Sequence, residues 1–374
     1  MSTRGPGSST IEHLREQADT AYEEGRYLQA AHLYAALLRS LPTHSEEWYT
    51  CQLHRAHCLR LAGSFRSALR LYRRLQQSTL NGADFYALDA LVGEALSLRV
   101  LGQLRRARQL LEQVLPLYQA RNDMEGLVHT LWALGTTLRF AGDFRNAADY
   151  LQQALQLHRQ YRVGQSIYLY CALGGLSRMR GAVQSSLRYY QQAHKNAIRE
   201  DNAFGIAYSA CGIANAYRIF QNWSMAHHYF AVARIHYEHV GERLSYAYTL
   251  WGEAMAYLLQ KQWDNAEALL RMAESLFRQT DRRGLLYVLL ARLQIEALRS
   301  TPLPPELHRD FQQALHWSYR SGYRFESLHL QLLGNLLRLH SEPIPLAVLQ
   351  RAYQECGSRW LHWIRPTALP INFP

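Results

Sequence analysis

The chain has 374 residues, of which 48% are hydrophobic and 19% are charged, with a formal net charge of +11. This composition supplies ample core material for two or three ordinary domains or for one elongated repeat array. The five cysteines include no CxxC pair, which argues against a disulfide framework and favours a reducing compartment. The start of the chain lacks the apolar run of a signal peptide, and no apolar stretch is long enough for a membrane span. We therefore expect a cytoplasmic protein.

The positive charge is carried almost entirely by arginine, because Lys195 and Lys261 are the only lysines. This bias indicates a GC-rich, most plausibly bacterial, genome at least as much as it indicates a function. A basic balance is compatible with nucleic acid, acidic peptides or anionic membranes as partners and selects none of them.

In chain order, residues 1–10 are expected to be disordered, and a repeat then begins. One turn position recurs every 38 to 40 residues, at Gly25, Gly63, Gly102, Gly142, Gly181, Gln221 and Lys261. A small residue follows each turn by five positions, at Ala30, Ala68, Ala107, Ala147, Ser186, Ala226 and Ala266. Small residues mark close approaches of helices, and large apolar residues at helical spacing fill the space between them. Each unit is therefore predicted to be a pair of helices that stacks on its neighbours.

Seven such units are predicted over residues 11–283, and two degenerate pairs over residues 284–357, with turns placed at Pro302 and Ser341. Residues 358–374 are aromatic and rich in proline, and we interpret them as a C-terminal cap or tail packed on the array.

The pattern resembles the tetratricopeptide repeat (TPR) family, most clearly in "GTTLRFAGDFRNAADYLQQAL" (135–155) and "AHCLRLAGSFRSALRLYRRL" (56–75). The period of about 40 residues is similar to that of Pins/LGN-type scaffolds and Rap-type peptide receptors, rather than to the usual 34 residues. The resemblance implies an all-α, right-handed superhelical solenoid of about nine helix pairs. It also implies that the first helix of each pair lines a concave groove that holds the ligand.

An arginine column precedes the turns by three residues. It contains Arg60, Arg99, Arg139, Arg178, Arg218, Arg299 and Arg338, and it is interrupted at Leu258. Three interpretations of this arginine column compete. The arginines bind carboxylates or phosphates of an extended ligand, they brace one repeat against the next, or they are helix formers on a solvated face.

Aromatic and polar residues fill the other inner columns of the middle repeats. The candidates are His57, His129, Trp132, Tyr168, Tyr208, Asn215, Tyr248 and Trp251. Tyr and Trp supply contact area for a peptide, and Asn215 resembles the asparagine that holds peptide backbone in this family. For any single aromatic residue, packing between adjacent helices is an equally good explanation.

Enzyme signatures are absent: the sequence has no P-loop, GxGxxG, HExxH or GxSxG motif. His236 and His239 are suitably spaced for a metal, but no carboxylate completes a site. We therefore expect no catalytic activity, no cofactor and no metal.

The sequence favours an adaptor or scaffold that binds a protein or peptide with an extended acidic segment. The alternatives are a single-stranded nucleic-acid-binding solenoid, a peptide-sensing regulatory receptor, and an accessory protein of a biosynthetic enzyme. The sequence does not determine the oligomeric state.

Overall fold

The computed structural model describes residues 8–78, 85–299, 302–340, 342–362 and 368–374. Within these residues, eighteen α-helices pack in consecutive pairs, so the expected all-α solenoid of about nine pairs is confirmed. The helices are α1 Ser8–Glu23, α2 Tyr27–Leu37, α3 Glu46–Leu61, α4 Phe65–Ser78, α5 Phe85–Val100, α6 Leu104–Ala120, α7 Met124–Ala141, α8 Phe144–Tyr161, α9 Ser166–Met179, α10 Val183–Arg199, α11 Ala203–Ile219, α12 Trp223–Val240, α13 Arg243–Leu259, α14 Trp263–Thr280, α15 Arg282–Arg299, α16 Pro305–Ser321, α17 Arg324–Leu336 and α18 Leu346–Glu355, followed by one 3-10 turn at Trp360–His362.

The predicted turn positions are the residues that end the first helix of each of the first seven pairs. All seven have positive φ, including Gln221 (58°) and Lys261 (63°), which lack the conformational freedom of glycine. At Gly142 the left-handed conformation lets its N–H donate to the Arg139 carbonyl and lets the Asp143 N–H donate to the Leu138 carbonyl. These bonds satisfy carbonyls that the end of a helix would otherwise leave unpaired.

The small-residue column lies where the two helices of a pair touch, and all seven of its residues are fully buried. The facing positions are equally tight: a Cβ added at Gly93 would lie 2.3 Å from the Tyr72 ring, and one at Gly135 would lie 2.5 Å from Leu151. Helices therefore approach closely only where the sequence places a residue without a bulky side chain.

The array coils far enough for its second half to contact its first half. The Tyr323 hydroxyl donates to the Arg99 carbonyl (3.3 Å), the Phe144 N–H donates to the Cys356 carbonyl (2.9 Å), and the Arg359 N–H donates to the Arg180 carbonyl (3.0 Å). We call this line of contacts the seam. The seam closes the superhelix on itself, so the concave side surrounds an axial space.

The C-terminal segment, residues 368–374, packs inside the coil at the end of the seam. Ile371 and Phe373 are buried against the aromatic rings of His329 and Trp360 and their neighbours. The Ile371 N–H donates to Oε1 of Gln294 on α15 (2.5 Å). This segment thereby ties the last helices to the middle of the array.

Three details differ from the prediction. Residues 8–10 form the first turn of α1 rather than a disordered end, because Ile11 already packs against the first core cluster. Arg338 has φ of 55° just past α17, so it is itself the turn residue and does not belong to the arginine column. Pro302 is not a left-handed turn residue, since the proline ring fixes a negative φ, and none of the described residues 302–304 before α16 has a positive φ. The predictions for residues 1–7, for a turn at Ser341 and for residues 363–367 lie outside the described residues.

Candidate ligand-binding cavity

A cavity of about 1210 Å³ lies inside the coil, lined by the odd-numbered helices and the loops that precede them. Of the thirteen candidate residues identified from the sequence, twelve line this axial cavity: His57, Arg60, Arg99, His129, Trp132, Arg139, Tyr168, Arg178, Tyr208, Asn215, Tyr248 and Trp251. The exception is Arg218. Odd-numbered helices pack side by side around the axis, which explains why columns set by a 40-residue period converge on one space.

The cavity arginines reach from the last turn of one inner helix toward the next inner helix. Arg99 donates through Nη1 to the Thr136 hydroxyl on α7, and its guanidinium lies 5.8 Å from the Trp132 ring and 5.2 Å from the Phe140 ring. The Arg139 guanidinium lies over Gly175 of α9, where an added Cβ would be 2.0 Å from Nη1. The column therefore connects repeats and faces the cavity at the same time.

These arginines lack acidic partners within the described part of the chain. No salt bridge there involves Arg60, Arg99, Arg139 or Arg178, and the buried Nε atom of each has no hydrogen-bond partner. Burial, followed by repulsion from Arg139 and Arg60, lowers the pKa of Arg99 to about 9. Arg99 is still charged at neutral pH, so the cavity contains positive charge that nothing nearby neutralises.

Arg218 has a different role, because the C-terminal segment covers it. Its guanidinium donates to the Phe373 carbonyl (2.9 Å), to the Asn372 side chain and to Oδ1 of Asn215 (3.2 Å), and it lies 5.5 Å from the Trp251 ring. Asn215 also donates to the Cys211 carbonyl of its own helix (2.9 Å). Both residues are buried and hold the tail in place.

Two histidines share the arginine-rich part of the cavity. Nδ1 of His57 lies 2.7 Å from the Tyr72 hydroxyl, and the His129 ring stacks on Trp132 at 5.6 Å between centroids. Burial, together with the charges of Arg60 and Arg99, lowers the pKa of His129 to about 4. Burial and Arg60 also lower the pKa of His57 well below its ordinary value. Both rings are therefore neutral at physiological pH.

The aromatic candidates form the apolar wall of the cavity and also bond across to neighbouring inner helices. Trp132 Nε1 donates to the Tyr168 carbonyl (3.3 Å), and Trp251 Nε1 donates to the Tyr287 carbonyl (2.9 Å). The Phe204 ring contacts both Tyr168 and Tyr208. The indole N–H groups of Trp132 and Trp251 are therefore already engaged, so these two residues offer a ligand ring surface rather than hydrogen bonds.

Nine carboxylates also line the cavity, seven of them at or just before the starts of inner helices and two, Glu23 and Glu24, at the end of α1. The acidic lining residues are Glu23, Glu24, Asp89, Asp123, Glu125, Glu200, Asp201, Glu242 and Asp281. Several cap helices: Asp123 accepts from the Gly126 N–H (2.9 Å) and Glu242 from the Ser245 N–H (2.7 Å). For most of them the sequence signal is an acidic residue at or just before the start of an inner helix. Most of the carboxylates thus lie at the starts of the inner helices, as helix dipoles favour, whereas Glu23 and Glu24 lie at the same helix end as the arginines.

Burial makes two of these acids titrate near neutral pH. It raises the pKa of Asp89 to about 6 and the pKa of Glu242 to about 7, although backbone N–H groups donate to Glu242. A raised carboxyl pKa means that the folded state holds the proton more tightly than the unfolded state does. The contribution of Glu242 to the free energy of unfolding is therefore fully present below about pH 4.5. It is lost as the pH rises to about 7.

Replacing Glu242 with glutamine is expected to remove the part of the fall in the free energy of unfolding with rising pH that Glu242 causes. The variant should match the wild type near pH 4 and exceed its free energy of unfolding by about 3 kcal/mol at pH 8, following the size of the shift. Urea unfolding across this pH range measures the difference. Glu306→Gln, at an exposed position in α16, is the control and should follow the wild-type curve. If the variant and the wild type differ in free energy of unfolding by the same amount at pH 4 and at pH 8, Glu242 is not buried as described.

A buried ionic cluster closes the cavity beneath the seam. Arg283 Nε donates to Glu326 Oε1 (2.7 Å), and the Tyr287 hydroxyl donates to the same oxygen (3.0 Å). Phe140 of α7 lies 4.5 Å from the Arg283 guanidinium. Arg283 is 6% exposed and Glu326 is fully buried. This cluster connects α7, α15 and α17 and therefore couples the first part of the coil to the last.

Within the described residues, no group of histidine, cysteine or acidic side chains is arranged to hold a metal ion. The same residues contain no helix of the length and apolarity that crossing a bilayer requires.

A family model described as the tetratricopeptide repeat matches residues 86–160, which span α5 to α8. Residues 86–160 match the tetratricopeptide repeat. The resemblance found in the sequence is thereby confirmed, and the TPR helices supply much of the cavity, including Arg99, His129, Trp132 and Arg139.

Solved structures extend the similarity to nearly the whole chain. A Rap protein complexed with competence and sporulation factor has a TM-score of 0.65 at 12% identity, covering 95% of this chain and 99% of that one. The Rap conjugation gene regulator of plasmid pLS20 in complex with the Phr* peptide has a TM-score of 0.56 at 11% identity. The match covers 83% of this chain and 96% of that chain. NprR in complex with its cognate peptide NprX has a TM-score of 0.51 at 14% identity. The match covers 89% of this chain and 99% of that chain. At these identities the similarity establishes the fold alone. A search of curated protein sequences finds no match.

Proposed function

We propose that this TPR protein is a non-enzymatic adaptor that binds an extended peptide segment in the axial cavity, with acidic groups of the peptide against Arg60, Arg99, Arg139 and Arg178. The observation that carries the proposal is the absence of any acidic partner for these four arginines within the described residues. These arginines are half-buried, and positive charge that is partly removed from water is stabilised by a counter-charge, which an anionic ligand would supply.

The proposed ligand enters a space that favours one orientation. Seven of the nine carboxylates lie at or just before the starts of the inner helices, and Arg60, Arg99, Arg139 and Arg178 lie at their ends. For α7, Glu125 and Arg139 are separated by about 21 Å along the helix, from the rise of 1.5 Å per residue. A peptide lying along the axis would place its acidic groups at the arginine end and a positive group at the acidic end.

A regulatory receptor for a peptide is supported by the fold neighbours, since the pLS20 regulator and NprR were each solved with a peptide. A nucleic-acid strand fits less well, because nine carboxylates line the cavity against five arginines and would repel a polyanion. A salt titration with single-stranded RNA discriminates: a steep loss of affinity with salt would favour nucleic acid.

The proposal is tested by selecting peptides from a random-peptide library on the immobilised full-length protein and measuring their affinities by calorimetry. We expect the selected peptides to be enriched in Asp or Glu, and to bind more weakly as salt screens the arginines. Selection of peptides without acidic residues would contradict the proposal.

Gly175→Ala is expected to weaken such peptides by at least about tenfold, or 1.4 kcal/mol, because the new Cβ must displace the Arg139 guanidinium. The fold should tolerate the change, since alanine favours a helix and the closest atom is the end of the flexible Arg139 side chain, although the Tyr190 hydroxyl at 3.1 Å must also shift by a few tenths of an ångström. The matched control is Gly205→Ala, also in an inner helix but away from the cavity lining. Equal affinities for both variants and the wild type would show that Arg139 does not contact the peptide.

A further inference from the structure

Arg99 and Arg218 have a neighbour that no other arginine of the column has. Each is followed after 33 residues by a tryptophan of the next inner helix, Trp132 and Trp251 respectively. The Arg99 guanidinium lies 5.8 Å from the Trp132 ring, and the Arg218 guanidinium lies 5.5 Å from the Trp251 ring. The same position after Arg60, Arg139, Arg178 and Arg299 holds Gly93, Ala172, Cys211 and Leu332. We call the two arginine–tryptophan pairs the Arg99 site and the Arg218 site.

The two tryptophans are also held in the same way. The indole N–H of Trp132 donates to the Tyr168 carbonyl (3.3 Å), and the acceptor lies 36 residues after the donor. The indole N–H of Trp251 donates to the Tyr287 carbonyl (2.9 Å), again 36 residues further along. Each ring is thereby fixed between two inner helices with an arginine over its face. Because the two sites have the same construction, the group bound at one indicates what the other can bind.

The Arg218 site holds an extended stretch of the chain itself. Nη1 of Arg218 donates to the side-chain oxygen of Asn372, and Nη2 donates to the Phe373 carbonyl (2.9 Å). The Asn372 side-chain amide donates back to the Arg218 carbonyl (3.3 Å). With this segment in place, Arg218 is fully buried and Trp251 is buried. One arginine of the column thus binds a short side chain and the main-chain carbonyl of the residue that follows it.

The Arg99 site differs in ways that favour a carboxylate over a carboxamide. Arg99 and Trp132 are only half-buried, and within the described residues the guanidinium forms a single hydrogen bond, to the Thr136 hydroxyl. Its buried Nε has no partner. The Arg99 carbonyl already accepts from the backbone N–H of the turn residue and from the Tyr323 hydroxyl (3.3 Å). An amide placed like that of Asn372 would find no acceptor there, whereas a carboxylate only accepts hydrogen bonds.

We propose that the Arg99 site binds an aspartate of the ligand peptide together with the main-chain carbonyl of the next residue, as Arg218 binds Asn372 and Phe373. The inference rests on the proposed function for the presence of an extended peptide in the axial cavity. It goes beyond a general preference for acidic groups, because both oxygens must reach one guanidinium and the side chain must be as short as that of asparagine. Glutamate carries the same charge but is longer by one methylene group.

The Arg99 guanidinium is held in position for such a ligand. The Thr136 hydroxyl accepts from Nη1, and the rings of Trp132 and Phe140 lie 5.8 Å and 5.2 Å from the guanidinium carbon. A guanidinium has five N–H donors, so four remain after the bond to Thr136. Little side-chain freedom is lost when a peptide binds, and hydrogen bonds between two charged groups are stronger than those between neutral groups.

Four synthetic peptides with the sequence of residues 368–374, ALPINFP, test the site on the full-length protein. One has the natural sequence, and the others carry Asn372→Asp, Asn372→Glu or Asn372→Ala. In calorimetry we expect the Asn372→Asp form to bind most tightly, by at least about tenfold over the Asn372→Ala form and by about fivefold over the Asn372→Glu form. The Arg99→Gln protein should lose these preferences. Arg106→Gln, at an exposed position on α6, makes the same charge change and should keep them.

The outcomes separate this inference from the proposed function. Equal affinities of the Asn372→Asp and Asn372→Glu peptides for the wild type would overturn the Arg99 site, and this measurement needs no altered protein. Unchanged binding of the Asn372→Asp peptide to Arg99→Gln would overturn it as well. Either result leaves the proposed function standing if the random library still yields acidic peptides. A library that yields peptides without acidic residues would overturn the proposed function, whereas an Arg99-dependent preference for the Asn372→Asp peptide would leave the site.

Discussion

Arg283→Met is expected to lower the free energy of unfolding by about 3–5 kcal/mol, because removing one partner of a buried ion pair leaves the other uncompensated. Glu326 is fully buried and loses its hydrogen bond from Arg283 Nε, and Tyr248 and Tyr287 lose their bonds to the guanidinium. The free energy from urea unfolding measures the loss.

The double variant Arg283→Met, Glu326→Met separates an uncompensated charge from lost packing. If the uncompensated carboxylate is the cause, the second substitution should recover a large part of the stability, as apolar replacements of buried ion pairs do. A single variant that unfolds like the wild type would mean that the ionic cluster does not join α15 and α17 as described.

Arg139→Glu combined with Arg178→Glu is expected to reduce the affinity of selected acidic peptides on the order of 100-fold, the scale of losing two central contacts in a binding site. The melting temperature should stay close to that of the wild type. Neither arginine forms a salt bridge within the described residues, and the new carboxylates would face Arg99 and Arg218.

The matched control is Arg105→Glu with Arg106→Glu, which makes the same change in net charge on the exposed face of α6. This control separates contact in the cavity from a general change in charge. If Arg139→Glu, Arg178→Glu binds the peptides as the wild type does but melts at a much lower temperature, the arginine column braces the repeats and does not hold the ligand.

The sequence predicts the repeat and the inner surface well, because both depend on local periodicity. The turn residues from Gly25 to Lys261 are all left-handed, as the spacing indicated. Twelve of thirteen candidate residues line one cavity because residues at the same phase of stacked repeats face the same axis. The period of about 40 residues is therefore enough to predict the turn positions and the residues that face the axis, and no long-range contact has to be known.

The coil closure could not be predicted, since it depends on small rotations that add up over many repeats. No local pattern indicates that Tyr323 meets Arg99 or that Phe144 meets Cys356. For the same reason Arg218 was assigned to the ligand, although the C-terminal segment covers it. Arg338 was misplaced because the last helix pair lacks the regular spacing on which the column depended.

Photo-crosslinking of a selected peptide, followed by mass-spectrometric mapping of the modified residues, tests the central claim most directly. The account predicts crosslinks to the cavity wall, at Trp132, Tyr168 and Tyr208, which competition with unlabelled peptide removes. Crosslinks confined to the exposed faces of the outer helices, such as α8, α10 and α12, would contradict binding in the axial cavity.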